Sequence, residues 1–420
     1  MFNSRITKSK TKKQSKQSKQ SKQSKQSKQS KTKEHHHSYL IKQEFLEDKI
    51  PLTDTKKIQL FEREFEKRPD WKKYSESKES KETIPNHQID FLYMDGKYLV
   101  DKSLWKYNKI LSSSVDMATD NHSISDKYKL IENLRKTNIN RKHLLDQTFV
   151  NLYEIYKNPS NLGSYKYLFK KHNVLIFKPI HGIKGQDMQT FDDFNNFKKF
   201  TMQLISRMYH KLKNFNPQEY NKMGIEKKYK TYNIEWVLQE YIINPLLFKE
   251  RKFHMRGYFI YYKPKKGPKQ GYILNNMTLF TAKDPYKTSD VGNKDIHDTH
   301  YKNTMVGVSF YNDISDMIGP EKTKDIMSQL VHIFKNVLKV INAKCFADST
   351  NCFQIFGFDA MITDDFNVKI IETNYMPGSP RIEVLQNIMT EIVDPLFKPQ
   401  FKTEMQENTQ DFIPYHFIKL

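Results

Sequence analysis

Two short apolar stretches carry the residues best suited to chemistry. The first runs Phe356, Gly357, Phe358, Asp359, and the second runs Lys369, Ile370, Ile371, Glu372, Thr373, Asn374. Between them lies Thr363 to Asn367, rich in turn formers, so the pattern predicts an antiparallel hairpin. With the turn centred near residue 365, Asp359 falls opposite Glu372, and side-chain alternation points Asn374 the same way as Glu372. Three oxygen ligands on a rigid sheet, with positions left for phosphate and water, suit Mg²⁺. An ordinary hairpin with one wet polar face would show the same pattern.

Further segments offer positive charge. Lys178 ends an apolar strand at Phe177, Lys178, Pro179, and Lys184 sits in the glycine-flanked stretch Gly182 to Gly185, so two lysines could clamp phosphate oxygens. In Arg251 to Arg256 the residues Lys252, His254 and Arg256 recur at period two. They form a basic strand face suited to a triphosphate, with Phe253 and Met255 turned the other way. Upstream, Gln239, Tyr241 and Ile242 run into Pro245, either as the wall of an adenine slot or as a buried strand. A Walker A sequence and a Gly-x-Ser-x-Gly nucleophile elbow are both absent, which argues against a P-loop and against nucleophilic acyl transfer.

The elements that must position these residues alternate in type. Strands are expected at 174–177, 236–243 and 353–362, and helices at 190–213 and 321–341, giving an α+β or mixed α/β domain. A core over 140–395 follows an accessory N-terminal region over 39–139, with helical periodicity at 58–67 and an aromatic run at 91–93. Residues 396–420 form a C-terminal extension. Residues 1–38 are a disordered arm, in which Gln-Ser-Lys repeats six times from Gln14 to Lys31 without an apolar side chain. His35, His36 and His37 could bind a metal, but three histidines in a flexible stretch are weak evidence for a metal site.

Bulk composition sets the outer bounds. The 420 residues carry a formal charge of +22, and residues 1–33 hold 12 basic side chains and no acidic one, leaving +10 for the rest. That balance favours acidic partners, and the arm offers nucleic acid an electrostatic footing. Cys345 and Cys352, the only cysteines, read as reduced thiols in a cytosolic or nuclear compartment. No apolar stretch approaches a membrane span, and the N-terminus has no secretory apolar core, so a soluble cytoplasmic protein is expected.

In order, these pieces resemble the catalytic core of the tubulin-tyrosine ligase-like family, which has the ATP-grasp fold. The resemblance covers roughly residues 140 to 385. It rests on Lys178-Pro179, Gly182 to Gly185, Gln239-x-Tyr241-Ile242, Lys252-Phe253-x-x-Arg256, His300-x-x-Asn303, Gly357-Phe358-Asp359 and Glu372-x-Asn374. It implies an ATP- and Mg²⁺-dependent ligase that activates a carboxylate as an acyl phosphate and couples it to an amine, releasing ADP. The amino acid joined would be tyrosine, glutamate or glycine. The acceptor would be an acidic tubulin tail or another protein, in the cytoplasm and in association with the cytoskeleton. Lys178, Lys184, Lys252 and His254 would hold nucleotide and Gln239, Tyr241 and Ile242 would frame adenine. Asp359, Glu372 and Asn374 would hold Mg²⁺. Arg256 would face the transferred phosphate, with His300 and Asn303 on the acceptor side.

Two positions depart from the family pattern. His254 stands where the family has aspartate, and Phe280 where an arginine commonly precedes a threonine-alanine pair. The second change removes a charge that in the family orients the carboxylate of the amino-acid substrate. These departures open a second reading, a relative that binds ATP or tubulin without ligation, and the basic arm with the +22 charge opens a third, a basic nucleic-acid binder.

Overall fold

The computed structural model describes residues 37–42, 52–73, 90–94, 123–180, 187–223, 227–228, 231–289, 292–299, 309–341, 351–374, 377, 382–397 and 417–420. The Gln-Ser-Lys arm, Lys184, His300 and Asn303 lie outside them. One compact unit spans His36–Leu420. Its strands are β1 (His37–Lys42), β2 (Trp71–Lys73), β3 (Phe91–Met94), β4 (Gln147–Asn151), β5 (Leu175–Pro179), β6 (Gln189–Phe191) and β7 (Glu235–Glu240). After these come β8 (Leu247–Phe248), β9 (Arg251–Lys263), β10 (Gln270–Leu274), β11 (Thr278–Thr281), β12 (Cys352–Ile362), β13 (Val368–Asn374) and β14 (Phe417–Lys419).

These strands form three sheets. The small N-terminal sheet is parallel in the order β2-β1-β3. A four-stranded antiparallel sheet has the order β4-β7-β5-β6, and the largest has the order β13-β12-β9-β10-β14, with β8 and β11 also paired to β9. Helices and antiparallel sheets in one unit make this the expected mixed α/β class.

The alternation expected of β9 is present. Phe253 and Met255 enter the main core, which is closed by the amphipathic helix Pro320–Val340 through Ile326, Leu330, Ile333, Phe334 and Val337. That leaves Lys252, His254 and Arg256 for the opposite face. β9 and β12 approach closely at Gly257, where an added Cβ would lie 2.2 Å from the Phe358 ring; only glycine fits there. The four-stranded sheet has its own core, in which Phe177 stacks on Trp236 at 4.5 Å between ring centroids.

Three expectations need correction. The strand expected to reach Ile243 ends at Glu240, because the chain turns toward Pro245 so that Leu247 can pair with Lys252. The helix expected over 190–213 begins at Phe194. Thr190 belongs to β6, the Asp193 carboxylate caps the helix by accepting from the amides of Asn195 and Asn196, and the helix stops at Arg207 before a second one at Tyr209–Lys213. Cys352 is disulfide-bonded and so is not the reduced thiol expected of it, while Cys345 lies outside the described residues. Among the described residues no helix is long and apolar enough to cross a membrane.

Candidate active site

The hairpin of β12 and β13 aligns Asp359 with Glu372 and Gly357 with Asn374, with a register irregularity between Asp359 and Ala360. On the other side of β12, Asp359 is aligned with Arg256 of β9. Two periodicities thus meet at one carboxylate. Arg256 grips it with both arms of the guanidinium, Nε donating to Oδ1 and Nη2 to Oδ2 at 2.9 Å. Burial alone would lower the Arg256 pKa, but the Asp359 charge and hydrogen bonds hold it well above its ordinary value.

Glu372 receives a hydrogen bond from Asn374 Nδ2 at 3.3 Å, and Lys127 Nζ lies 3.4 Å from its other oxygen. Lys127 opens the helix Lys127–Leu134, capped by Asp126, and its ammonium also donates to the Ile180 carbonyl at 3.2 Å. Lys178 lies on β5 of the four-stranded sheet, two residues before the Ile180 carbonyl that Lys127 holds. Burial pushes its pKa down to about 8; Glu372 and Asp359 pull it upward and Lys127 presses it further down. The acidic pair of one sheet and the lysine of the other therefore share one electrostatic environment. The residues fit a Mg²⁺ ion by donor chemistry. Two carboxylates and an amide oxygen lie on adjoining strands, and the Asn374 amide gives Glu372 its nitrogen, which keeps its oxygen available as a ligand.

Lys252 is buried, and its Nζ donates to the Tyr241 hydroxyl at 2.6 Å while lying 3.8 Å from that ring's centroid. Burial pushes its pKa down to about 7, with Asp298 opposing. The Tyr241 hydroxyl is in turn 2.6 Å from His297 Nδ1, and burial and Tyr286 raise its pKa. Gln239 donates to the Gln147 side chain at 3.0 Å, which ties β7 to β4. Ile242 packs with Leu145 and Met361, and Ile371 joins them, making a small apolar cluster beside the carboxylates.

His254 stacks on Phe280, its cross-strand neighbour in β11. Its Nδ1 lies 2.6 Å from Thr299 Oγ1 and its Nε2 lies 3.8 Å from Asp359 Oδ1. The structure thus brings Lys178, Lys252, His254, Arg256, Asp359, Glu372 and Asn374 to one region, with Gln239 near the end of β7 and Tyr241 and Ile242 at the turn that follows it.

Sequence reasoning missed Lys127, His297 and the apolar cluster of Leu145, Met361 and Ile371. Lys127 and His297 stand outside any motif. Met361 and Ile371 flank Asp359 and Glu372, a proximity that could have drawn attention to them. A second group, Asp146, His172 and Glu240, has metal-like donors. It is instead a salt-bridge knot: Lys171, Arg135 and Lys369 supply three cations around it, and the Asp146 amide donates to Glu240.

Comparisons with known proteins bear on the family and the fold. A probable tubulin–tyrosine ligase of Schizosaccharomyces pombe is 26% identical over 192 residues, 41% of this chain and 45% of that protein. The probable tubulin–tyrosine ligase PBY1 of Saccharomyces cerevisiae is 28% identical over 212 residues, 44% and 27% of the two chains. Tubulin glycylase 3F of Tetrahymena thermophila is 26% identical over 247 residues, 55% and 25%. The matched stretches thus span less than half the length of each of these relatives. The crystal structure of the C-terminal domain of K. lactis Pby1, an ATP-grasp enzyme interacting with the mRNA decapping enzyme Dcp2, superposes with a TM-score of 0.56. Its identity is 17%, and the match covers 91% of this chain and 98% of that one, so the two share a fold. The profile of the tubulin-tyrosine ligase family matches residues 108–410, and over that span, the greater part of its length, this chain belongs to the tubulin-tyrosine ligase family.

Proposed function

We propose that this chain is an ATP- and Mg²⁺-dependent ligase that joins an amino acid to an acidic protein acceptor, with release of ADP. The observation that carries this reading is the alignment of Asp359 with Glu372 on one sheet, joined by Lys127, 3.4 Å from Glu372 and 3.2 Å from the Ile180 carbonyl, to the end of the strand of the other sheet that carries Lys178. Opposed charges on two sheets are what a bound nucleotide with its metal requires.

In this reading Asp359, Glu372 and Asn374 hold Mg²⁺, which when bound would neutralise charge on the phosphoryl group. Lys178 and Lys252, with His254 beside them, bind phosphate oxygens, and Lys184 adds a third lysine. The apolar cluster of Leu145, Ile242, Met361 and Ile371 takes the flat face of adenine, with Gln239 and Tyr241 at its edge. Arg256 steadies the phosphate that passes to the acceptor carboxylate, and burial of the site keeps water from the activated carboxylate. His300 and Asn303 serve the acceptor side.

An acidic tubulin tail is the acceptor favoured by the names of the relatives, and the positive body charge suits such a peptide. The amino acid is tyrosine, glutamate or glycine, the set the family uses. A second reading, a relative that binds ATP without ligation, is favoured by the His254–Phe280 stack, since Phe280 brings no charge to the family's arginine position.

The test is thermal stability with and without Mg-ATP, followed by ADP release with each amino acid and an acidic peptide. A ligand at about 100 times its Kd stabilises the folded chain by about 2.7 kcal/mol. That shift should need Mg²⁺ and vanish in Glu372→Gln. Binding without ADP release from any pair would select the silent relative, and no shift at millimolar Mg-ATP would end the nucleotide reading.

A further inference from the structure

We propose that His297, acting through the Tyr241 hydroxyl, positions the Lys252 ammonium for a nucleotide phosphate. The inference rests on the nucleotide reading above and adds a residue outside every motif of the site. Three elements meet in this chain of hydrogen bonds. Lys252 comes from β9 of the largest sheet, Tyr241 follows β7 of the four-stranded sheet, and His297 ends the short helix Lys294–His297. The bridge therefore ties the two sheets together beside the proposed nucleotide slot.

Donor and acceptor counting fixes the first link of this chain. An ammonium has no lone pair, so at 2.6 Å Lys252 Nζ donates and the Tyr241 oxygen accepts. His297 Nδ1 lies 2.6 Å from the same oxygen, and we take the tautomer with its proton on Nε2, in which Nδ1 accepts from the hydroxyl in competition with Tyr286. Tyr286 braces the arrangement: its ring meets His297 edge-on at 5.4 Å, and its hydroxyl donates to the Ile243 carbonyl at 2.5 Å. A tyrosine oxygen whose proton is drawn toward an imidazole is the better acceptor for a cation, so His297 favours the charged form of Lys252 across one intervening residue. The titratable groups around this chain are Tyr241 at the end of β7, His297 and Asp298 at the helix end, Tyr286 after β11, and His254 next along the same face of β9.

The test is calorimetry of Mg-ATP binding to the full chain over about pH 6 to 9, a range that brackets the Lys252 titration. His297→Leu should weaken binding about three- to tenfold at neutral pH, the effect of one lost hydrogen bond, and should move the fall in affinity to lower pH. His297→Asn, whose Oδ1 replaces Nδ1 as the acceptor, should recover both affinity and profile. Tyr241→Phe, which keeps the ring and cuts the chain at its middle, should reproduce the leucine profile and stands in for it if that variant does not fold. Equal affinity and equal profile in wild type and His297→Leu would overturn the proposal. So would an asparagine variant as weak as leucine with an unmoved profile, which would reduce His297 to packing. A wild-type chain that binds no Mg-ATP would sink the nucleotide reading and this proposal with it.

Discussion

His254 and Phe280 face each other across the β9–β11 pair, with ring centroids 5.0 Å apart and planes 5° from parallel. The two departures from the family pattern are therefore one feature. An aspartate and an arginine at this register would be opposite charges on neighbouring strands, and here an aromatic stack replaces them. The Arg256 guanidinium carbon lies 5.7 Å from the Phe280 ring, so the stack also borders the arginine that holds Asp359.

A double-mutant cycle with His254→Ala and Phe280→Ala should show a coupling of about 0.5–1.5 kcal/mol in denaturant unfolding. Replacing the pair together by Asp and Arg should give a more stable chain than either single replacement. Additive single effects would mean that the two rings do not support one another.

Asp359→Asn should destabilise the fold by about 2–4 kcal/mol, below the cost for a fully buried pair because the Arg256 side chain keeps 20% of its surface exposed. The carboxylate neutralises a guanidinium held in place by β9, and an amide cannot. Chemical denaturation of the two proteins reads the difference. A variant as stable as wild type would show that water satisfies Arg256 without its partner.

The two buried lysines predict a rise of stability with pH. Both have folded pKa values below the unfolded one, about 7 for Lys252 and about 8 for Lys178, so between these values and about 10 the unfolded chain binds more protons. Unfolding free energy contributed by these groups should therefore increase from neutral pH toward pH 10. Lys252→Met should flatten the slope from about pH 7 upward and Lys178→Met from about pH 8. Unchanged slopes in both variants would refute the burial assigned to these ammonium groups. Mg-ATP affinity should move the opposite way, falling as the lysines lose charge.

Much of the site is legible because its geometry is local. Asp359 and Glu372 oppose one another because Thr363 to Asn367 makes a turn between two apolar strands, and Lys252, His254 and Arg256 share a face through strand alternation alone. The grip of Arg256 on Asp359 was not legible, since which strand lies beside β12 depends on the packing of the whole core. Lys127 escaped notice for the same reason. It opens a helix in a stretch assigned to the accessory N-terminal region, far along the chain from Glu372, and only the fold joins the two. His297 sits in an unremarkable segment and gains meaning from Tyr241. The ends of β7 and of the helix at Phe194 were misjudged where capping and turn geometry outweighed a continuous apolar pattern.

The pairing of β9 with β12 has a consequence for how the protein comes into being. The basic face is complete once residue 256 is made, yet its carboxylate partner is supplied by residue 359. Until that later strand emerges from the ribosome, Arg256 and the apolar side of β9 have no neighbour on that edge. Pairings between strands so distant in the chain form slowly, and exposed edges of this kind invite other chains. Synthesis that stops before β12 would leave a product with the charges of a nucleotide site, no means of assembling it, and an open strand edge prone to aggregation.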